Sequence, residues 1–381
     1  MLTFHNIHMK KKVIFFIPTL EAGGAEKNVV NLLSGINRAK YEVALLVCKR
    51  RGQFLKDIPQ SVPIFELGSL NSVVVFFKVI AFFRRQKPDL FISNLSRFNA
   101  INLLAVLVSG SASRIIVVEH TQVSLLPVTA KSFFHRIAAY FIFPGLARFL
   151  YKTAGCVIAV SGGVAQDLEM MLGSDIKVQV VYNPVVSENI LEAAKEHVTH
   201  IWFDKKKIPV VLSVGRLVKA KNHALLLEAI ALVLKRNKVN LVVLGQGQEQ
   251  EDLKQLALKL GIQDNVDFVG FEDNPFKYMA HADVFVNSSM REGFGNSIVE
   301  AMALGLPVIS TDCSGPAEII KDVGILVPSA DAGALADAIT KVLDDESFRK
   351  VMAKKGLYRA SDFLVQTSVK NYEKLFDRLL Y

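Results

Sequence analysis

Short apolar runs recur along the whole chain, and helix-length stretches of mixed polarity separate them. The runs predict strands at 13–17, 43–47, 62–65, 90–93, 115–118, 157–160 and 178–181, and again at 210–214, 241–244, 266–269, 284–287, 308–310 and 325–327. Helices are predicted between them, at 25–35 in the first half and at 223–236, 248–260, 275–281, 296–304 and 331–343 in the second. Uniformly apolar strands that alternate with helices predict parallel sheets covered on both faces.

The strands fall into two sets, which the polar stretch 185–207 separates. A chain of 381 residues is long enough for two domains, each with its own core. We therefore predict an α/β protein with two Rossmann-like domains, 1–184 and 185–365. Because open α/β sheets bind ligands at the carboxyl ends of their strands, two sheets facing a central cleft would hold a substrate between them.

The composition changes this prediction little. Half of the residues (51%) are apolar, but no run reaches the roughly 20 apolar residues that a membrane span needs. The three cysteines, Cys48, Cys156 and Cys313, have no metal-binding spacing and suit a reducing cytosol.

The charge is unevenly distributed. The net charge of +9 divides into +11 for residues 1–182 and −2 for the rest, and 16 of the 25 phenylalanines lie in the first part. A basic, phenylalanine-rich half indicates an anionic and partly apolar partner. Nucleic acid would also attract it, but the chain has no known recognition motif for nucleic acid. An anionic membrane surface fits better.

Two segments of the first half combine aromatic side chains with cations. We interpret residues 72–85 as a buried helix that covers the sheet. Residues 131–152 hold more aromatic side chains than a core requires, so we expect them to contact the membrane. Their aromatic residues include Phe133, Phe134, Tyr140, Phe141, Phe143 and Phe149, and their cations are Lys131, Arg136, Arg148 and Lys152.

A pair of glutamates carries the strongest chemical signal. Glu292 precedes two glycines, Gly293 and Gly295, and Glu300 lies eight positions further along, in the helix that the glycines open. Glycine lets the backbone approach a ligand closely, and the first N–H groups of a helix attract an anion. The pattern suits a nucleotide-sugar, with its ribose at Glu300, its diphosphate at the helix start and its sugar at Glu292.

Two cations, Arg216 and Lys221, follow the first strand of the second domain. A guanidinium and an ammonium group can bind a diphosphate and stabilise the charge that it gains as a leaving group. The chain contains no Asp-x-Asp motif, so we predict no metal ion and expect these cations to replace it.

The residues resemble those of a known family. Glu-Gly-Phe-Gly at 292–295, with Glu300 and a following Ala-Met-Ala-x-Gly-x-Pro-Val, resembles the signature of the large retaining glycosyltransferase family four. Further similarities occur in the same order as in the family, so that the resemblance covers almost the whole chain. They lie at 17–26, 214–222, 269–271 and 282–286.

The resemblance implies the GT-B fold, with a last helix, 366–381, that crosses back to an acceptor-side first domain. It implies a retaining transfer of a sugar from a nucleotide donor, a uridine diphosphate (UDP) sugar, to a hydroxyl group, with no cofactor. The residues expected to act in catalysis are Glu292, His120, Arg216 and Lys221, and family members commonly carry a histidine at the position of His120. Those expected to bind the donor are Gly23, Gly24, Arg216, Lys221, Gly245, Phe271, Glu292, Gly293, Phe294, Gly295, Asn296 and Glu300.

The N-terminal motif and the context of His120 look most like bacterial enzymes that build glycans on lipid carriers. The resemblance therefore implies a glycan or lipid-linked acceptor, and a cytoplasmic protein peripheral to the inner face of the cytoplasmic membrane.

Two other functions fit the same layout. A sugar-nucleotide 2-epimerase would carry further acid or base groups over the sugar and release no transfer product. A non-catalytic nucleotide-sugar binder would not need the four charged residues Arg216, Lys221, Glu292 and Glu300. A dehydrogenase is disfavoured, because the chain lacks the G-x-G-x-x-G fingerprint.

Overall fold

The computed structural model describes residues 10–21, 23–125, 143–204 and 208–381. The internal contacts divide the chain into two compact units. The first comprises Met1–Pro184 and Val365–Tyr381, and the second comprises Val185–Leu364. The C-terminal division thus falls one residue before the predicted boundary at 365/366.

The described part of the first unit contains a parallel sheet of seven strands in the order β3-β2-β1-β4-β5-β6-β7. β1 is an interior strand, and its side chains from Val13 to Ile17 are fully buried. The strands are β1 (Lys11–Ile17), β2 (Tyr41–Val47), β3 (Ile64–Glu66), β4 (Leu90–Asn94), β5 (Arg114–Glu119), β6 (Cys156–Ala159) and β7 (Val178–Val180).

Helices cover both faces of this sheet. They are α1 (Gly24–Gly35), α2 (Ser72–Gln86), α3 (Ser96–Ser109), α4 (Phe143–Tyr151) and α5 (Gly162–Leu172). The chain first adds β2 and β3 on one side of β1. It then crosses to the other side of β1 and adds β4, β5, β6 and β7 in turn. Because crossovers between parallel strands are right-handed, α1 lies on one face and α2 to α5 lie on the opposite face.

The second unit has a parallel sheet of six strands in the order β10-β9-β8-β11-β12-β13. The strands are β8 (Val210–Val214), β9 (Asn240–Leu244), β10 (Val266–Gly270), β11 (Val284–Asn287), β12 (Val308–Thr311) and β13 (Ile325–Val327). The helices are α6 (Glu188–Ala193), α7 (Ile201–Asp204), α8 (His223–Val233), α9 (Gln250–Lys259), α10 (Pro275–His281), α11 (Asn296–Ala303), α12 (Ser314–Ile319), α13 (Ala332–Asp344) and α14 (Glu346–Ala360).

The last helix, α15 (Val365–Leu380), belongs to the first unit although it follows the second in sequence. It packs against α1. Its Phe376 is fully buried, and the ring meets Phe15 and Tyr41 edge-on at centroid distances of 6.3 and 5.4 Å. None of the described helices is both long and apolar enough to cross a membrane.

Each predicted strand is present, with ends that shift by a few residues. One interpretation needs correction, and a second prediction is not tested by the described residues. The segment 72–85 does form a sheet-covering helix, α2, but only one side of it is buried, and Val73, Val74 and Phe77 are exposed. Most of the predicted membrane segment 131–152 lies outside the described residues, which resume at α4.

Candidate active site

The strand order of the second unit creates a topological switch point between β8 and β11. These strands are neighbours, and the chain leaves them in opposite directions, towards β9 from one and towards β12 from the other. At such a point the connections separate, so a crevice opens outside the carboxyl ends of the two strands. Arg216 and Lys221 follow the end of β8, and Glu292 follows the end of β11.

Lys221 and Glu292 form an ion pair at this switch point. The Lys221 ammonium is in direct contact with Glu292 Oε2, and each side chain is only 19% exposed. Arg216, in contrast, is exposed and makes no ion pair with any described residue. The two cations predicted to bind a diphosphate therefore differ, because Glu292 neutralises Lys221 and no described carboxylate neutralises Arg216.

Main-chain contacts hold the loops of Lys221 and Glu292 together. Ser288 Oγ donates to the carbonyl oxygen of Lys221 at 3.0 Å, and the N–H of Met290 donates to that of Ala220 at 2.9 Å. The ion pair thus joins two loops whose backbones are already linked, so little further ordering is needed to form it.

A buried hydrogen-bond network at the ends of β11 and β12 supports the Glu292 loop. Asn287 Nδ2 donates to Ser310 Oγ at 2.9 Å, and Ser289 Oγ donates to Asn287 Oδ1 at 2.8 Å. Thr311 Oγ1 donates to the Ser289 carbonyl at 2.5 Å. These four side chains are at least nine-tenths buried, and they cross-link the ends of β11 and β12. The network fixes the position from which the Glu292 loop leaves the sheet.

Two glycines shape the same loop. Gly295 precedes α11 with a φ of +106°, a conformation that favours glycine. A Cβ atom on Gly315 would lie 2.7 Å from the carbonyl of Gly293, so the backbones of these two segments touch. Sequence reasoning missed Gly315, although its Ser-Gly-Pro context after a strand was a signal for a close turn.

The predicted residues around α11 differ in their placement. Asn296 opens the helix, and Glu300 lies in its second turn with 5% of its surface exposed. Phe294 is 3% exposed, and its ring packs edge-on against Phe363 at 5.5 Å. The Phe294 side chain is therefore part of the core. A donor contact at this position, as predicted, would be made by its main chain.

A second glycine contact orders the loop before Arg216. Gly245 has a φ of +141°, and a Cβ atom there would lie 1.9 Å from the Gly215 carbonyl oxygen. The N–H of Gly245 donates to the Gly270 carbonyl at 2.7 Å, and the half-buried Phe271 follows directly. The loops after β8, β9 and β10 are thus packed backbone to backbone at one edge of the sheet.

His223, at the start of α8, was not identified from the sequence. It is buried, and its Nδ1 has no hydrogen-bond partner among the described residues. Burial, and secondarily the charge of Lys221, lower the pKa of His223 to about 4. At neutral pH the imidazole is therefore uncharged, and it adds no positive charge beside the Lys221–Glu292 pair.

The first unit has its own switch point, between β1 and β4. Gly23 and Gly24 follow β1 and begin α1, as predicted from their spacing. Gly23 has an extended backbone that any residue adopts, and a Cβ atom there would meet only the flexible carboxylate of Glu26. Conformation therefore does not require glycine at position 23.

Asn94, the last residue of β4, holds the predicted His120. Asn94 Nδ2 donates to the Phe16 carbonyl at 3.0 Å, which turns its Oδ1 towards His120 Nε2 at 2.9 Å. Nε2 must then carry the proton. Burial lowers the pKa of His120 to about 4, so at neutral pH the ring is uncharged and unprotonated at Nδ1.

Glu119, beside His120, has a structural environment. Its fully buried carboxyl group receives hydrogen bonds from Ser96, Asn99 and Tyr151, and so connects the end of β5 with α3 and α4. Burial raises the pKa of Glu119, against the opposing effect of those hydrogen bonds. Because its neighbours already use the carboxyl oxygens, we assign Glu119 to the support of the fold.

The described residues contain no cluster of three or more His, Cys, Asp or Glu side chains that could hold a metal ion. The loops that follow β8 and β11 carry four cationic side chains, those of Arg216, Lys219, Lys221 and Arg291.

Two family models match the chain, one for each half. Residues 22–189 match the model described as "Glycosyltransferase Family 4", and residues 195–359 match that described as "Glycosyl transferases group 1".

The relatives of known role include bacterial glycosyltransferases that act on lipid-linked glycans and lipopolysaccharide. The N-acetylgalactosamine-N,N'-diacetylbacillosaminyl-diphospho-undecaprenol 4-alpha-N-acetylgalactosaminyltransferase of Campylobacter jejuni is 31% identical over 93% of this chain and 96% of its own length. The lipopolysaccharide core biosynthesis glycosyltransferase LpsE of Rhizobium meliloti is 28% identical over 88% of this chain and 89% of its own.

Among solved structures, Anabaena Alr3699/HepE in complex with UDP superposes with a TM-score of 0.79. It is 21% identical and covers 96% of this chain and 100% of its own. This likeness shows the fold, two Rossmann-like domains of the GT-B class. The matches support a glycosyltransferase and favour neither the epimerase nor the non-catalytic binder. On the family models and the C. jejuni relative together, the chain belongs to glycosyltransferase family four.

Proposed function

We propose that this glycosyltransferase takes its sugar from a UDP-sugar, which the switch point of the second unit binds. Glu300 accepts hydrogen bonds from the ribose hydroxyls, and Arg216 and Lys221 bind the diphosphate. The backbone from Gly293 to Asn296 lies against the phosphates at the start of α11. The UDP bound to the structural neighbour HepE supports the choice of nucleotide.

The Lys221–Glu292 ion pair is the observation on which this proposal mainly rests. It places a cation and a carboxylate side by side at the carboxyl ends of β8 and β11, where open α/β sheets bind ligands. A donor would exchange this contact for two others, the diphosphate to Lys221 and a sugar hydroxyl to Glu292. In the complex the ammonium group of Lys221 and the carboxylate of Glu292 would therefore each have a new polar partner.

The proposed reaction retains the configuration of the anomeric carbon. The bond from that carbon to the diphosphate oxygen breaks, and its electron pair stays on the diphosphate. The acceptor hydroxyl oxygen bonds to the carbon from the same face, and its proton passes to the departing phosphate oxygen. Arg216 and Lys221 stabilise the charge that grows on the diphosphate, so the step needs no metal ion.

We propose a glycan or a lipid-linked glycan as the acceptor. The C. jejuni relative is named for an undecaprenol-diphosphate glycan and the R. meliloti relative for lipopolysaccharide core biosynthesis, and both support this class. The protein would then work in the cytoplasm, at the inner face of the cytoplasmic membrane. It would bind that membrane peripherally and would not bind nucleic acid.

A donor screen followed by product analysis tests the function. Because a bound donor stabilises the fold, the unfolding temperature should rise with a uridine diphosphate sugar and less with the corresponding guanosine or adenosine compounds. The donor identified in this way should then yield a glycoside of retained configuration and free UDP. Formation of an epimerised UDP-sugar, with no glycoside, would instead support an epimerase.

A further inference from the structure

The helices α2 and α3 form one layer on the sheet of the first unit. They pack against each other along their length. Arg97 donates to Ser72 Oγ at 2.7 Å near their N-terminal ends, and Arg84 Nε lies 3.4 Å from the Ser109 carbonyl near their C-terminal ends. The helices are therefore parallel, and at 1.5 Å per residue the layer is about 20 Å long.

The outer side of this layer is apolar. Phe77 is 64% exposed and Leu107 is 46% exposed, whereas the inner side chains of α2, such as Val79 and Phe83, are fully buried. A helix that covers a sheet in a water-soluble domain normally presents polar residues outward. The exposed large apolar residues of the two helices, which we call the α2–α3 face, are Val73, Val74, Phe77, Leu104, Leu107 and Val108.

All charges on these helices are positive. Their 15 and 14 residues include Lys78, Arg84, Arg85 and Arg97 but no aspartate or glutamate. All four cations are exposed. An ordinary solvated helix mixes both signs, as α14 does with its Glu346–Lys350 pair. The α2–α3 face is therefore complementary to a surface that is both apolar and anionic.

The neighbouring helix α4 continues the apolar surface. It packs against α3 on the same face of the sheet, and its Leu146 and Phe149 are exposed. Arg148 of α4 and Lys152, which follows the helix, both pair with Asp175, so these cations are partly neutralised. Of these three helices, α2 and α3 thus carry the cations that make no ion pair with a described residue.

We propose that the α2–α3 face docks on a bilayer of anionic phospholipid. Its apolar side chains would enter the interface, while Arg84, Arg85 and Arg97 bind lipid phosphates. The inference deepens the proposed function and rests on it, because a docked enzyme would meet a lipid-linked acceptor. It assigns a membrane contact to α2 and α3, in addition to residues 131–152, for which the sequence predicted one.

Sedimentation with vesicles tests the proposal, using the full chain with phosphatidylcholine alone and with added phosphatidylglycerol. We expect binding only when the anionic lipid is present, reduced but not abolished by salt. Since each cation near such a surface contributes appreciably to attachment, Arg84→Glu/Arg85→Glu should weaken binding at least about tenfold. Phe77→Ser/Leu107→Ser should abolish the part of the binding that resists salt.

Matched controls carry the same changes on the second unit. Lys235→Glu/Lys238→Glu alters the net charge equally, and Leu258→Ser/Tyr358→Ser removes two exposed apolar side chains. Both controls should bind vesicles like the wild type. Unchanged unfolding temperatures would show that all variants fold.

Two results would overturn the proposal. One is that the α2–α3 variants bind vesicles as well as their controls do. The other is that they convert a dimer to a monomer in analytical ultracentrifugation, which would make the face a contact between two copies. The unfolding-temperature shift by a UDP-sugar should be the same in every variant. If a UDP-sugar does not shift the unfolding temperature of the wild type, the proposed function is contradicted. The vesicle measurements would not be affected by that result.

Discussion

Lys221 and Glu292 are 71 positions apart in the sequence, yet their side chains form an ion pair. Each was expected to contact the donor separately, Lys221 at the diphosphate and Glu292 at the sugar. In the structure the two side chains neutralise each other. If the donor contacts both residues as proposed, its binding separates this pair, and the contribution of each residue can be tested.

Glu292→Ala should separate binding from transfer. The change removes a negative charge close to the proposed diphosphate position and releases Lys221, so we expect UDP to bind about three- to tenfold more tightly. Transfer should fall about 10- to 150-fold, the cost of losing a hydrogen-bonding carboxylate. Titration calorimetry with UDP and steady-state kinetics measure the two effects, and weaker UDP binding would contradict the assignment.

Glu300→Ala should change UDP binding in the opposite direction. If the buried carboxylate of Glu300 binds the ribose, its loss should weaken UDP binding by about 1.5–3 kcal/mol. Glu228→Ala is a suitable control, because Glu228 is an exposed carboxylate of the same unit. We expect UDP to bind this control as it binds the wild type. Equal UDP affinity of the Glu300 variant and the control would rule out the ribose contact.

Chelation should not inhibit the enzyme, because two cations are proposed in place of a metal ion. Activity should survive EDTA, while Arg216→Ala should lower transfer by about tenfold or more, since a charged hydrogen bond to the leaving diphosphate is lost. Rates with EDTA, with Mg²⁺ and with Mn²⁺ make the comparison. Loss of activity in EDTA and its recovery on adding either metal would show that the metal-free mechanism is wrong.

The sequence was sufficient to predict the strands, because apolar runs such as 13–17 in β1 and 210–214 in β8 are buried on both sides and contain almost no polar residues. It failed for α14. Only Met352, Gly356 and Ala360 of that helix are buried, and this narrow face of mostly small residues gives little periodic signal.

The sequence predicted which residues belong to the candidate site, but it did not predict which of them are in contact. No local pattern shows that Lys221 meets Glu292 or that Gly315 meets Gly293, because each contact depends on which strands are neighbours in the folded sheet. Phe294 illustrates a different limit. Its position in the Glu-Gly-Phe-Gly motif suggested a ligand contact, but the packing around Phe363 determines where the ring points.

Asn94→Asp should make catalysis depend on pH near neutrality. In the wild type the pKa of His120 is lowered to about 4, so its ring stays neutral and should cause no change in rate above about pH 5. A carboxylate at the position of Asn94 Oδ1, 2.9 Å from Nε2, would stabilise the protonated ring and raise this pKa.

If substrate contact requires neutral His120, the Asn94→Asp rate should therefore fall as the pH drops through the raised pKa. Asn94→Ala removes the hydrogen bond without adding charge, and it should lower the rate equally at all pH values. An NMR titration of the His120 ring gives the pKa directly. Identical pH–rate profiles for the wild type and Asn94→Asp would remove His120 from catalysis.

Gly245→Ala should disrupt the loop that leads to Arg216. The new Cβ atom would lie 1.9 Å from the Gly215 carbonyl oxygen, and the φ of +141° is unfavourable for any residue with a side chain. Backbone must therefore move, and we expect a loss of unfolding free energy above the roughly 1–3 kcal/mol that an unfavourable φ alone costs. Gly261→Ala is the matched control, because its φ is +69° and no atom lies within 4 Å of its Cβ position.

Denaturant unfolding compares the two variants. Equal destabilisation would mean that the contact with Gly215 contributes nothing, whereas a larger effect at Gly245, together with weaker UDP binding, would show that this contact positions Arg216.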